Sequence, residues 1–236
     1  MPVEIYPVVH ITDGTDAEEL STQQARLAAE HGAKGLFLID HHSSEVEMLL
    51  RCFNAASEAL PDLYLGINFL QLSSAYDSFQ QLLEWKTTDR ISKMPNGLWV
   101  DAAHNLPQKT IELRRSNPEL QAVQYLGGVA LKYTSRFTDD PSAAAAQAEM
   151  FKSYVDVVTT SGPGTGMPAN PDKISLMKQA IGDQPLALAS GVDINNIHLY
   201  KDADIILVSS SIETHPQSGE LNGPVLEELI DAASAL

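Results

Sequence analysis

The chain has 236 residues, 44% of them hydrophobic and 19% charged, which is the balance of a folded chain with a large core rather than a disordered one. Lys and Arg number 15 against 31 Asp and Glu, for a formal net charge of −16. Nucleic acid and anionic membranes are therefore excluded as partners by charge, and an anionic small molecule has to be held by local donors. The lone cysteine, Cys52, leaves no internal disulfide.

In chain order, strand-like and helix-like segments alternate throughout. Val3 to Ile11 is rich in β-branched residues and reads as a strand. Thr15 and Glu18 have capping-box spacing before a helical run to His31, stopped by Gly32. Gly35 to Asp40 is a short apolar run ending in polar residues, the pattern of a buried parallel strand. Ser44 and Glu47 form a second capping box; Val46, Leu49, Leu50, Phe53 and Leu60 then mark one helical face, and Cys52 in this stretch is expected as a buried thiol. A third strand spans Leu63 to Phe69, followed by a helix with Tyr76, Phe79, Leu82 and Leu83. Thr87 to Asn96 is polar and reads as a loop. Gly97 to Asp101 is a fourth strand, and its helix ends near Asn117-Pro118.

The fifth strand is expected at Gly128 to Lys132, after the interruption of Gly127-Gly128. Asp140-Pro141 starts the next helix with proline at its first position. Val155 to Thr160 is the sixth strand, and Asn170-Pro171 caps a helix through Ile181. Pro185 to Ala189 is the seventh, followed by a short helix capped by Asp193. Asp204 to Val208 is the eighth, and Gly223-Pro224 opens the last helix. About eight such units, evenly spaced, predict one (β/α)8 TIM barrel spanning residues 1–236 as a single domain. An open doubly wound sheet is the competing topology. No apolar run approaches the roughly 18 residues needed to span a bilayer. The start of the chain lacks the features of a signal peptide, so the cytoplasm is the expected compartment.

In such a barrel the C-terminal ends of the strands carry function. Those ends supply His10 and Asp13, Asp40 with His41 and His42, Asn68, Asp101 with His104 and Asn105, and Lys132. The later strands add Thr160 and Ser161, Ser190 and Gly191, and Ser209 to Ser211. Lys132, ending an apolar strand, suits a Schiff base, a proton carrier or an anion partner, with Asp101 as its natural counter-charge. Asp101 or Asp40 is the expected general acid or base, and His10 joins them as a catalytic candidate. The glycines Gly162, Gly164 and Gly166 follow the sixth strand and offer backbone N–H groups to an anion; the spacing matches neither a P-loop nor a dinucleotide fingerprint. Ser190-Gly191 and Ser209-Ser210 lie where barrels often hold a phosphate. With Asn68 and Ser161, these residues form the expected ligand-binding set. His41 and His42, adjacent on a strand end, point to opposite sides and do not readily share an ion. Neither a metal nor a cofactor is assigned.

The second half resembles the BtpA family of TIM-barrel proteins, named for photosystem I biogenesis. The likeness runs through Lys132, Thr160 to Gly166, Ala189 to Val192 with Asn195-Asn196, Ala203-Asp204, Leu207 to Ile212, and Gly219 to Asn222. In the first strand Val9-His10-Ile11 is similar to the family's start. The family's following Pro-Leu-Pro-Gly segment is missing here, and the second and fourth strands depart from its pattern. The resemblance implies the fold and the position of the site. It also implies two roles, assembly for some members and catalysis by analogy with sugar-phosphate barrels. The leading expectation is an enzyme of isomerase or lyase type acting on a phosphorylated sugar or nucleotide-like metabolite. A non-enzymatic assembly protein and a metal-dependent hydrolase are the alternatives. A homo-oligomer paired through the outer helices is a further expectation.

Overall fold

Each strand hydrogen-bonds to the next and the last to the first, in the order β1 to β8, so the sheet is a closed parallel barrel with no free edge. The computed structural model describes residues 2–41, 46–215 and 218–236. Elements run β1 (Glu4–Ile11), α1 (Ala17–Glu30), β2 (Gly35–Asp40), α2 (Glu47–Ala59), β3 (Tyr64–Asn68), α3 (Ala75–Thr87), β4 (Gly97–Val100), α4 (Pro107–Ser116) and α5 (Pro118–Gln121). They continue with β5 (Gln124–Gly128), α6 (Pro141–Phe151), β6 (Val157–Ser161), α7 (Pro171–Ile181), β7 (Leu186–Ala189), β8 (Ile205–Val208) and α8 (Gly223–Ser234). Closure is made by β1 against β8, with Glu4 opposite Ile205 and Pro7 opposite Val208. The barrel is the expected fold, and the open sheet is excluded. Among the described residues no helix is long and apolar enough to cross a membrane.

Strands buried on both faces need apolar side chains at every position, and the period of two divides them into two cores. Phe37, Ile39, Trp99, Leu126, Ile205 and Leu207 fill the barrel interior. Leu36, Leu38, Leu98, Tyr125, Ile206 and Val208 pack outward, in the core shared with the helices. The same parity decides what reaches the mouth. One step beyond Val8, Ile39, Trp99 and Leu207 come His10, His41, Asp101 and Ser209, and all four line the cavity there. Asp40 has the outward parity of Leu36 and Leu38 and is buried.

Several local expectations need correction. The fifth strand is Gln124–Gly128, not Gly128 to Lys132. Gly127-Gly128 is its end rather than an interruption, because β5 passes too close to the end of β4 for a side chain. A Cβ on Gly128 would lie 1.9 Å from the Asp101 carbonyl oxygen. Lys132 therefore sits in the turn after the strand. The Thr15–Glu18 capping box does not form. A turn from Gly14 leads straight into α1, whose N-cap is Asp16 with no side-chain cap bond. The short helix after Asp193 is a three-residue 3-10 turn, Ile197–Leu199. The Asp193 carboxylate instead accepts the N–H groups of Asn195 and Asn196, at 2.8 and 3.1 Å, so no helix dipole is available there. Ser44, with its capping box, and His42 lie outside the described residues. The proline-led starts at Asp140-Pro141, Asn170-Pro171 and Gly223-Pro224 hold as expected, and the side chains of Asp140, Asn170 and Asn222 each accept a first-turn N–H. Cys52 is fully buried, and burial pushes its thiol pKa up, away from nucleophilic use.

Candidate functional site

A cavity of about 590 Å³ opens at the C-terminal mouth of the barrel. Val8, Ile39, Leu70, Trp99 and Leu207 form its apolar walls. Of the residues singled out in the sequence, His10, His41, Asp101, Lys132, Gly166, Ser190, Gly191 and Ser209 to Ser211 line it. Asn68 and Ser161 do not line it but bond to residues that do.

Asp101 accepts a hydrogen bond from Asn68 Nδ2 at 3.1 Å. Burial pushes its carboxyl pKa up, opposed by that bond and by the positive charge of Lys132. A carboxyl held above its ordinary range and facing a cavity is suited to proton transfer. Asn68→Ala removes the opposing bond, so Asp101 is expected to titrate at a higher pH still, followed by carboxyl-carbon NMR. An unmoved titration would deny Asn68 its role as support.

Lys132 reaches the cavity from the turn after β5. Its backbone N–H donates to Ser161 Oγ at 2.8 Å, and its Nζ lies 3.4 Å from Thr165 Oγ1. Burial lowers the ammonium pKa, while Asp101 and Tyr133 raise it. Lys132 and Asp101 thus feel each other's charge within one cavity. Beneath the turn, Lys173 is completely buried and donates to the carbonyls of Ala130 and Ser161, at 2.8 and 2.7 Å. Ser161 and Lys173 are therefore supports for Lys132 rather than parts of the lining.

The glycine-rich segment folds across the gap between β6 and β7. The Gly166 N–H donates to Ser190 Oγ at 3.0 Å, and the Gly164 carbonyl accepts from the Met167 N–H at 3.1 Å. Gly162 backs onto the Met167–Pro168 main chain. On the far side of the same chain lies Gly191, with φ of +77° and room for no Cβ, which would sit 2.2 Å from the Met167 oxygen. The 209–212 turn follows, closed by Ile212 N–H to the Ser209 carbonyl at 2.8 Å. The N–H groups of Gly191, Ser210 and Ser211 have no hydrogen-bond partner among the described residues. All three residues line the cavity, and main-chain donors so placed can receive an anion without adding charge of their own.

Glu213 escaped sequence reasoning. Its side chain is fully buried and its Oε1 lies 2.9 Å from His10 Nδ1. Ser209 Oγ bonds to the same Oε1 at 3.1 Å, so this hydroxyl is engaged within the protein. The residue sits four places past the polar strand end, in a loop, and nothing in the local pattern marks it. Tyr133 and Thr165 were also missed; the Tyr133 hydroxyl lies 3.3 Å from Thr165 Oγ1 and both line the mouth. Among the described residues no three His, Cys, Asp or Glu side chains come together as a metal site.

The fold and mouth define a (β/α)8 barrel with an open, partly polar cavity at the strand ends. Solved structures share this fold over nearly the whole chain. One is N-(5'-phosphoribosyl)anthranilate isomerase from Pyrococcus furiosus, with TM-score 0.61 and 14% identity, covering 99% of this chain and 100% of that one. A second is (S)-3-O-geranylgeranylglyceryl phosphate synthase from Thermoplasma acidophilum, in complex with its substrate sn-glycerol-1-phosphate, with TM-score 0.61 and 12% identity, covering 100% and 94%. A third is tryptophan synthase subunit alpha from Legionella pneumophila str. Paris, with TM-score 0.66 and 11% identity, covering 99% and 94%. No family model and no curated protein matches the sequence.

Proposed function

We propose that the chain is an enzyme acting on a phosphorylated small metabolite by proton transfer, in an isomerase- or lyase-type reaction. The observation that carries the reading is the set of unengaged N–H donors of Gly191, Ser210 and Ser211 at the edge of a cavity that also contains Asp101, Lys132 and His10. A phosphate would sit between Gly191 and the 209–212 turn, with the exposed Ser210 hydroxyl as a further donor. This moves the anion contact from the Ser209 hydroxyl, which Glu213 already occupies, to the main chain beside it. Asp101, held toward its neutral form, exchanges the proton, and Lys132 stabilises negative charge developing on the ligand. Two of the similar barrels carry a phosphorylated compound in their names, which supports the same class of ligand.

An assembly protein that kept only the scaffold would have no need of an open cavity with acid–base groups turned into it. The likeness to the BtpA family fits the enzyme reading, because its stretches at Lys132, Thr160 to Gly166, Ala189 to Val192 and Leu207 to Ile212 build much of the cavity wall. A cytoplasmic, homo-oligomeric protein is part of the same proposal.

The test is binding of inorganic phosphate, read by crystal soaking and by calorimetry. The expected result is an anion within hydrogen-bond distance of the Gly191 and Ser210 N–H groups. An anion bound elsewhere, or none at high concentration, overturns the phosphate site. A thermal-shift screen of sugar and nucleotide phosphates, with and without divalent metals, then identifies the substrate, since a specific ligand stabilises by mass action.

A further inference from the structure

We infer that Glu213 fixes the tautomer of His10 and thereby makes Nε2 of that ring the atom that exchanges protons with a ligand in the cavity. The inference rests on the reading of this cavity as an active site and adds a positioning residue to it.

The argument starts from what each atom can do. An ionised carboxylate only accepts hydrogen bonds. Glu213 Oε1 lies 2.9 Å from His10 Nδ1 and 3.1 Å from Ser209 Oγ, so with Glu213 ionised both of those atoms donate to it. Ser209 Oγ is itself 3.1 Å from Nδ1, and with its hydrogen turned to Glu213 it presents a lone pair to the same Nδ1–H. Both partners therefore require the hydrogen on Nδ1. A neutral imidazole has one N–H, so Nε2 is left with its lone pair. In the charged ring, Nε2 holds the proton that the ligand would receive.

The placement agrees. The Glu213 side chain is fully buried and that of His10 is 12% exposed. The Nδ1 edge of the ring is sealed against Glu213 and Ser209, and the opposite edge, where Nε2 lies, is the one available to the cavity that His10 lines. His41 meets the ring at 61° with centroids 4.7 Å apart, so it packs beside the imidazole and limits its swing. Because Ser209 and Glu213 meet the same ring nitrogen, the trio is not a nucleophilic serine relay, in which serine and carboxylate hold opposite nitrogens.

Glu213 is also held firmly. Its strand-like pairing with Leu221 folds the loop after β8 back on itself. Thr214 N–H to the Glu220 carbonyl at 2.8 Å and Asn222 N–H to the Ile212 carbonyl at 2.7 Å close that return. Leu221 N–H donates to Gln24 Oε1 on α1 at 2.7 Å, tying the loop to the barrel wall. A carboxylate on so braced a loop can hold an imidazole in one orientation, the support that proton carriers need from their surroundings.

The experiment is nitrogen NMR of the full chain labelled with 15N-histidine, with His10 assigned by His10→Gln. Spectra are followed upward in pH until the imidazole is neutral. The wild-type ring should show a pyrrole-type Nδ1 and a pyridine-type Nε2. Glu213→Met removes the acceptor, and the Nδ1–H preference should be lost; Glu213→Asp should retain it in part. Ser209→Ala should leave the tautomer in place. A wild-type ring protonated on Nε2 overturns the inference without any variant having to fold. So does a Glu213→Met protein with native near-ultraviolet dichroism and an unchanged His10 spectrum. None of these readouts depends on phosphate binding, so failure of the soaking experiment and failure of the His10 assignment are separate results.

Discussion

Gly191→Val should abolish phosphate binding, weakening it by about 100-fold or more, and should also lower the stability of the protein. Position 191 has φ of +77°, and any Cβ there would lie 2.2 Å from the Met167 carbonyl oxygen and 2.7 Å from Pro168 N. A β-branched residue in the left-handed region costs roughly 1–3 kcal/mol in backbone strain, and overpacking against fixed main chain costs about as much again. The main chain relieves both only by moving, and the donors move with it. A hydrogen bond to a charged acceptor contributes about 1.5–3 kcal/mol. Losing the aim of two of the three N–H groups is then worth roughly 3 kcal/mol, which corresponds to the expected loss of affinity. Calorimetric titration with inorganic phosphate reads the affinity and urea unfolding reads the stability. Ser210→Gly is the control, because it removes a hydroxyl and keeps the N–H; its affinity should fall by only a few-fold. Wild-type affinity in a folded Gly191→Val protein would remove this corner from the site.

Where the chain alternates between strand and helix is legible because burial on both faces of a parallel strand leaves an unbroken apolar run, and proline-led caps mark the helix starts. The fifth strand is misplaced by sequence because Gly127-Gly128 carries no side-chain signal. Glycines at a strand end and glycines in a turn read alike, and only the Asp101 carbonyl just past β4, within 1.9 Å of a hypothetical Cβ, tells them apart. The period of two also sorts the polar strand ends. Trp99 to Asp101 and Leu207 to Ser209 are inward steps, whereas Leu38 to Asp40 is an outward one, so parity alone separates the carboxylate that faces the cavity from the one that does not. Glu213 lies beyond such reasoning. It reaches His10 across 203 residues of sequence, through a loop whose return no local pattern announces.

The stability of the wild-type protein, measured relative to Lys173→Met, should rise with pH between about 8 and 10.5. Lys173 is completely buried, and burial lowers its ammonium pKa from 10.5 to about 8, with Asp139 pulling weakly the other way. The pKa in the folded state is thus the lower one. Between the two values the unfolded chain holds the proton and the folded chain does not, so stability grows as pH rises through that window and is flat beyond it. Each tenfold change in proton affinity corresponds to about 1.4 kcal/mol, which puts the full gain at up to roughly 3 kcal/mol. The fold accommodates the neutral amine because its two partners, the carbonyls of Ala130 and Ser161, need only two N–H groups, which an uncharged amine still has. Methionine fills the space but takes the donor from the buried Ser161 carbonyl, at about 1–3 kcal/mol, and leaves the Ala130 carbonyl only its bond from Thr160 Oγ1 at 3.1 Å. The variant is therefore penalised most at high pH, where the wild type no longer bears a buried charge. Cys52 and the phenols of Tyr6, Tyr64 and Tyr125 are pushed up by burial and withdraw stability as pH rises; they do so in both proteins, and the difference isolates Lys173. The same substitution should quicken hydrogen exchange at the Lys132 amide, whose acceptor is Ser161 Oγ at 2.8 Å, because Lys173 anchors the main chain on both sides of that bond. A gap in urea midpoint that stays constant from about pH 7 to 10.5 would mean that the buried amine keeps its ordinary pKa and that the support beneath Lys132 is not built on a displaced proton.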